Sequence, residues 1–216
     1  MVAEQLLARG ITDRRVLEAV GSVPREEFVP RSSVGDAYAD RALAIDCGQT
    51  ISQPWIVAAI CQGLELGGAE TVLEIGTGTG YSTAVLARLA AKVVSVERIE
   101  TLAGAARKRL NALRLSEPVV EVRVGDGSVG LPERAPYEAI AVHAAVPRAP
   151  AALLDQLATG GRLVAPVAAG DGEILSRYRR ASAGARDQIT CEDLALCRFV
   201  PLIGAQGYPA PRAGSG

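Results

Sequence analysis

The sequence predicts an α/β fold: a doubly wound, mostly parallel sheet preceded by N-terminal helices and closed by a C-terminal antiparallel hairpin. Three observations carry that expectation. Thr71 to Tyr81 reads Thr-Val-Leu-Glu-Ile-Gly-Thr-Gly-Thr-Gly-Tyr, a buried strand running straight into a glycine-rich turn. From Lys92 to Val167, short β-branched runs alternate with amphipathic stretches, the pattern of parallel strands joined by crossover helices. Beyond Gly170 the apolar positions alternate residue by residue, as an antiparallel edge requires.

At 216 residues and 49% hydrophobic content the chain can bury one sizeable core, so a single domain over 1–205 is expected. Within it, 1–65 supplies helices and a loop, 66–170 the α/β core and 171–205 the closing strands, and 206–216 reads as a flexible Pro/Gly-rich tail. Lys plus Arg number 23 against 24 for Asp plus Glu, with no basic tract to follow a phosphate backbone, which argues against nucleic acid. Neither a signal core nor a membrane-spanning run is present in the sequence. Cys47, Cys61, Cys191 and Cys197 lack Cys-x-x-Cys spacing and His143 is the only histidine, so no metal is expected. A reduced, cytoplasmic protein, monomeric by default, is the resulting expectation.

Taken in order, residues 2–20 read as helix broken near Gly10, with Leu6 and Leu7 on one apolar face and Thr12 or Asp13 opening the second segment. Pro24 to Pro30 bounds a short helical turn with Phe28 as a core anchor. Residues 31–53 are irregular, ending in Gly48-Gln49-Thr50-Ile51-Ser52-Gln53-Pro54, and an irregular segment that long is usually functional. Helix resumes after Pro54 through Ile56, Val57, Ile60 and Leu64. After the glycine turn, Thr79 is expected to cap a helix running to Leu89. Strands follow at Lys92–Val96, Val119–Val124, Tyr137–Val142 and Arg162–Val167, with helices over 99–113 and 150–157 and a turn at Gly160-Gly161. The hairpin places Ile174, Ser176, Tyr178, Ile189 and Cys191 on one face and turns at 181–184.

Ligands on such sheets sit outside the carboxyl ends of the strands, and the notable acids and glycines all fall on that edge. Glu97 stands about twenty residues beyond the glycine turn, the distance at which an acid can bond ribose hydroxyls. Gly125-Asp126-Gly127 is a second acidic turn on the same edge. The glycine spacing is Gly-x-Gly-x-Gly, without the dinucleotide fingerprint, which disfavours a nicotinamide oxidoreductase. Read alone, the turn admits a small-molecule nucleotide site or a tight strand-to-helix connection with no ligand.

Glu74 to Gly80 resembles the first motif of the class I S-adenosylmethionine-dependent methyltransferases, whose sheet is Rossmann-like. A closer resemblance spans nearly the whole chain, to the protein-L-isoaspartate O-methyltransferase family. It rests on Arg25-x-x-Phe28-Val29-Pro30, Gly48 to Pro54, Val72 to Gly78, Ser95-Val96-Glu97-Arg98, Gly125 to Gly127, Ala144-Ala145-x-Pro147 and Phe199-Val200-Pro201-Leu202. The pairing of Gln49 to Pro54 with Phe199 to Leu202 is the most particular part. The resemblance implies S-adenosyl-L-methionine as methyl donor, S-adenosyl-L-homocysteine as product, and isoaspartyl-containing proteins and peptides as partners. It implies that Ser52 holds the substrate carboxylate, with Gln49, Thr50, Ile51 and Trp55 around it and Val200, Pro201 and Leu202 offering main-chain groups. The donor would lie on Glu74, Gly76, Thr77, Gly78, Thr79 and Gly80, with Glu97 and Arg98 at the ribose and Asp126 and Gly127 at the adenine. Trp55, Asp46-Cys47 and His143 depart from the family pattern, which bears on substrate preference more than on reaction type.

The implied chemistry suits a chain with one histidine. A carboxylate is ionised at neutral pH and needs no base, while a sulfonium leaves as a neutral thioether and needs no acid. Positioning and exclusion of water remain, and positioning can supply up to roughly 7–11 kcal/mol. Two rivals stand beside this reading: a methyltransferase of the same architecture acting on another carboxylate or peptide acceptor, and a cofactor-binding module without catalysis. Ser52 and the intact glycine turn argue against the second.

Overall fold

The computed structural model describes residues 1–116, 119–181 and 188–210. A seven-stranded sheet organises them, in the order β5-β4-β3-β6-β7-β8-β9. Its strands are β3 (Thr71–Ile75), β4 (Lys92–Glu97), β5 (Val120–Val124), β6 (Tyr137–Val142), β7 (Leu157–Ala169), β8 (Gly172–Arg180) and β9 (Ile189–Cys197). From β5 to β7 the pairs are parallel, and β8 and β9 add an antiparallel edge. The chain winds from β3 outward through β4 to β5, then returns to the other side of β3 with β6. The carboxyl ends of β3 and β6 therefore frame the crevice where an open sheet of this kind takes its ligand.

Both faces of the sheet are covered. Val72, Val93 and Ala139 face one core with Ile56, Val57, Ile60 and Leu64 of α2 (Pro54–Leu64) and with α1 (Arg14–Ser22) and α3 (Tyr81–Leu86). Leu73, Ile75, Val94 and Ile140 face the other, with Leu153 of α5 (Ala151–Leu154). Double-sided burial explains why these strands are mostly apolar on both faces, with Glu74 and Ser95 as hydrogen-bonded exceptions. α4 (Glu100–Ala112) closes the crossover from β4 to β5.

Several local expectations are corrected. Residues 2–9 are helical, but as a wide π-helical turn, Val2–Leu6, and a tighter 3-10 turn, Leu7–Arg9, with Leu6 buried and Leu7 49% exposed, so the two leucines do not share a core face. Asp13 caps α1, accepting the N–H groups of Arg15 and Val16. The segment read as irregular holds helical turns at Arg31–Asp36 and Asp46–Gly48 and a minimal hairpin of β1 (Leu43–Ala44) and β2 (Thr50–Ile51). Gly80, at φ +92°, takes the cap position expected of Thr79, and α3 ends at Leu86. Gly160-Gly161 lies inside β7, where the register against β6 shifts, and the helix before it stops at Leu154. Cys191 stands opposite Tyr178 and Ile189 opposite Arg180, so both share the hairpin face of Ser176 and Tyr178 as expected, although both are exposed. Of the expected turn at 181–184, residues 182–184 lie outside the described residues. Gln206 to Tyr208, expected in the tail, are held in place: Gln206 N–H donates to Ser128 Oγ and Tyr208 N–H to the Leu202 carbonyl.

Candidate active site

β3 delivers its chain into the crevice through a turn that only glycine tolerates easily. Gly76 sits at φ +94° and Gly78 at φ +54°, both in the left-handed region. The Gly78 N–H donates to Glu97 Oε2 at 2.9 Å, and the Ile99 N–H to Glu97 Oε1 at 2.9 Å. Glu97 at the end of β4 is 7% exposed and immobilised from both oxygens, each of which retains a lone pair for a ligand hydroxyl. Together these groups floor a cavity of about 360 Å³, within the range of small-molecule sites.

Most of the residues expected here from the sequence meet in that one cavity. Gln49, Thr50, Ile51 and Ser52 form one wall, Gly76, Thr77, Gly78 and Thr79 the floor, Glu97, Arg98 and Gly127 one end, and Val200, Pro201 and Leu202 the far wall. Four others stand elsewhere. Glu74 lies beneath the floor, fully buried, its Oε2 accepting the hydroxyls of Thr83 at 2.5 Å and Ser95 at 2.6 Å. That carboxylate ties β3 to β4 and α3. Gly80 faces Ala106 and Leu110 of α4, where a Cβ would crowd them at 3.3–3.4 Å. Trp55 lines a neighbouring groove. Asp126 turns its carboxylate to the C-terminal segment, accepting the Ser128 hydroxyl at 2.6 Å and the Ala205 N–H at 2.7 Å. Burial works against its ionised form, but these donors outweigh it and hold the Asp126 carboxyl below its ordinary value.

On the wall opposite the glycines, β2 alternates. Ile51 is buried in the core, while Thr50 and Ser52 line both the first cavity and a groove of about 590 Å³ on its far side. Arg9, Trp55, Leu196 and Phe199 line that groove. The Trp55 indole N–H donates to the Arg9 carbonyl at 3.2 Å, and the Arg9 guanidinium lies over the same ring, 4.2 Å from its centre. Arg9 also pairs with Asp40.

The far wall is a strand fragment laid against the chain after β6. The Ala145 N–H donates to the Val200 carbonyl and the Leu202 N–H to the Ala145 carbonyl, both at 2.8 Å, while the Leu202 carbonyl accepts from Tyr208. Pro201 has no N–H. The Val200 N–H and the Pro201 carbonyl remain without partners among the described residues.

Cavity residues not expected at the site from the sequence include Tyr81 and Ser82; Cys47 and His143, two of the departures from the family pattern, also line it. The His143 side chain is 5% exposed, its Nε2 lies 3.4 Å from Glu74 Oε1, and among the described residues neither ring nitrogen has a hydrogen-bond partner. Its position directly after β6 at the carboxyl edge was the available signal.

The sequence model of the family described as protein-L-isoaspartate(D-aspartate) O-methyltransferase matches residues 1–207. A protein-L-isoaspartate O-methyltransferase 2 of Pelobacter propionicus is 50% identical over 208 residues, covering 96% of this chain and 91% of that protein. A protein-L-isoaspartate O-methyltransferase 1 of Rhodopseudomonas palustris is 51% identical, covering 99% and 87%. Among solved structures, a protein-L-isoaspartate O-methyltransferase superposes with a TM-score of 0.78 at 29% identity, over 93% of this chain and 64% of that one. A Plasmodium falciparum protein in complex with S-adenosyl-L-homocysteine superposes with a TM-score of 0.77 at 22% identity, over 94% and 96%, which shows the shared fold.

Proposed function

The chain belongs to the protein-L-isoaspartate(D-aspartate) O-methyltransferase family, and from that membership we infer methyl transfer from S-adenosyl-L-methionine to the carboxylate of L-isoaspartyl residues in damaged proteins and peptides. The observation that carries the site assignment is a juxtaposition: Ser52, Gly76, Gly78, Glu97 and Val200 to Leu202, far apart in sequence, line one cavity.

The residues present fit the donor. The floor at Gly76 and Gly78 presents backbone without side chains, Glu97 offers two anchored acceptors, and the buried His143 nitrogens at the cavity wall lack partners among the described residues. In this reading Glu97 holds the ribose hydroxyls and the glycine turn carries the aminoacyl end, with Thr77, Thr79 and Arg98 beside them. Gly127 faces the adenine end, with Asp126 acting behind it by fixing residues 204–206. When bound, the donor supplies an activated methyl group on a sulfonium that leaves as a neutral thioether.

Every other task falls to the chain. The Ser52 hydroxyl donates one hydrogen bond that orients the acceptor carboxylate, already ionised at neutral pH. Too strong a bond there would stabilise the starting anion and slow transfer, so a single neutral donor suits the role. Gln49 and Thr50 shape the same wall, and Ile51 anchors it in the core. The free Val200 N–H and Pro201 carbonyl are the main-chain groups left to pair with a peptide. The groove beyond Ser52, with Trp55 on its side, leads the acceptor chain in. The four cysteines are free thiols, in keeping with work on proteins of a reducing cytoplasm. Among the described residues no helix is long and apolar enough to cross a membrane.

A paired assay tests the assignment: methyl transfer to an isoaspartyl peptide and to its normal aspartyl twin. Transfer to the first alone is expected. Equal rates on both would leave a methyltransferase of another acceptor.

A further inference from the structure

Arg25 opens the short helical turn Arg25–Phe28 and is 0% exposed, the largest fully buried side chain described. No carboxylate pairs with it among the described residues. Its Nε donates to the Ala37 carbonyl and its Nη2 to the Ser52 carbonyl, each at 2.7 Å. Its flat face lies over the Tyr81 ring, 4.6 Å from the centre. Tyr81 begins α3 directly after the glycine turn, lines the donor cavity, and packs edge-on against Phe28 at 5.7 Å.

A buried guanidinium without a counter-ion is costly, and an apolar side chain of similar volume would fill the space with less penalty. Packing alone therefore does not account for it. What an apolar residue lacks is the planar fork that spans Ala37 and Ser52 while stacking on Tyr81. Ser52 precedes α2, whose first residue, Pro54, has no N–H, and the Ser52 carbonyl takes its hydrogen bond from Arg25. Holding that carbonyl fixes the Ser52–Gln53 peptide plane beside the cavity that Ser52 lines.

We propose that Arg25 is a positioning residue for methyl transfer, which sets the heading of the Ser52 hydroxyl through its carbonyl and ties that setting to the donor-side helix through Tyr81. The proposal rests on the reading of Ser52 as the residue that orients the acceptor carboxylate.

A double-mutant cycle on the full chain tests it, with Arg25→Lys and Ser52→Ala made singly and together. The readout is single-turnover methyl transfer to an isoaspartyl peptide at saturating donor and peptide, alongside Tm and calorimetric affinity for S-adenosyl-L-homocysteine. Lysine keeps the charge but can neither span both carbonyls nor stack flat. Arg25→Lys is expected to slow transfer by about tenfold to a hundredfold, the scale of a small misplacement of a reacting group. Affinity for S-adenosyl-L-homocysteine should hold within about twofold, the scale of only a few tenths of a kcal/mol. In the Ser52→Ala background the same change should add little, because the hydroxyl it aims is gone. Penalties that multiply, or Arg25→Lys at the wild-type rate, overturn the proposal. Ser52→Ala at the wild-type rate overturns the Ser52 reading and the coupling with it, whereas a slow Ser52→Ala with multiplying penalties overturns Arg25 alone. Arg25→Met, uncharged and able to pack, replaces lysine in the cycle if that variant does not fold, with the same outcomes decisive.

Discussion

Glu97 accepts the backbone N–H of Gly78 at 2.9 Å, so the acid that ends β4 also fixes the tightest part of the turn that ends β3. One carboxylate thus shapes the floor of the cavity and presents acceptors to what lies on it. Glu97→Ala removes both functions. Hydrogen bonds to a charged group contribute about 1.5–3 kcal/mol each, so affinity for S-adenosyl-L-homocysteine should fall by about tenfold to a hundredfold. Titration calorimetry measures this, and an unchanged Kd would remove Glu97 from the donor site.

Asp126 makes the C-terminal closure sensitive to acid. Its folded-state carboxyl lies below its ordinary value of roughly 3.9, so it contributes stability that is present above that value and lost as pH falls through the folded one. The gap in Tm between the protein and Asp126→Asn should therefore be full at neutral pH and narrow once pH drops below about 4. Thermal melts across that range decide it, and a gap independent of pH would count against the charge.

Gly204 tests the same contact by sterics. A Cβ there would collide with Asp126 Oδ1 and Ser128 Oγ. Gly204→Ala should displace residues 204–206, lower Tm and raise KM for the peptide, since Leu202 of the far wall is two residues away. Wild-type KM with wild-type Tm would show that the segment yields freely.

The Arg9–Trp55 stack lies on the side of the groove beyond Ser52 that is proposed to take the peptide. A half-exposed cation–π contact contributes about 0.5–1 kcal/mol. Arg9→Ala should then shift peptide KM by about two- to fivefold with kcat nearly unchanged, and most for peptides with an apolar residue beside the isoaspartate. Steady-state kinetics on a small peptide panel reads this; a loss confined to kcat would contradict it.

Gly63, within α2, probes the packing of helix on sheet. A Cβ would stand 2.9 Å from Leu194 Cδ1 and 3.0 Å from Val164 Cγ2, and Val164 is a fully buried β-branched residue at the sheet centre. Gly63→Ala gains helix propensity, but overpacking of about 1–3 kcal/mol should dominate. Tm is expected to fall by about 2–10 °C, which differential scanning calorimetry checks.

What could be read in the sequence was whatever local pattern decides. The bounds of β6 are those expected, and β3 occupies the apolar run before the glycine turn, because burial on both faces favours apolar side chains throughout. The convergence of Ser52 with Gly76 and Glu97 was expected from the resemblance, and topology delivers it at the switch point. The failures share a cause. Gly160-Gly161 is the same dipeptide whether it turns or bulges, and it bulges because Gly161 must pass the carbonyls of Ala158 and Tyr137, where a Cβ would come within 2.8–3.1 Å. Thr79 and Gly80 are both acceptable caps, and the φ of +92° at residue 80 decides between them. Arg25 was seen only as part of a motif, since its partners Ala37, Ser52 and Tyr81 lie 12, 27 and 56 positions away.

The two-residue hairpin of β1 and β2 has a consequence of counting. Leu43 stands opposite Ile51 and Ala44 opposite Thr50, and the turn at Asp46–Gly48 fixes that register. Because side chains of a strand point to opposite sides in turn, sliding this ribbon by one position would pull Ile51 out of the core and turn Thr50 toward it. The odd or even number of residues between Ile45 and Gln49 therefore decides which side chain of the ribbon anchors it in the core, even where the surrounding architecture would survive either choice.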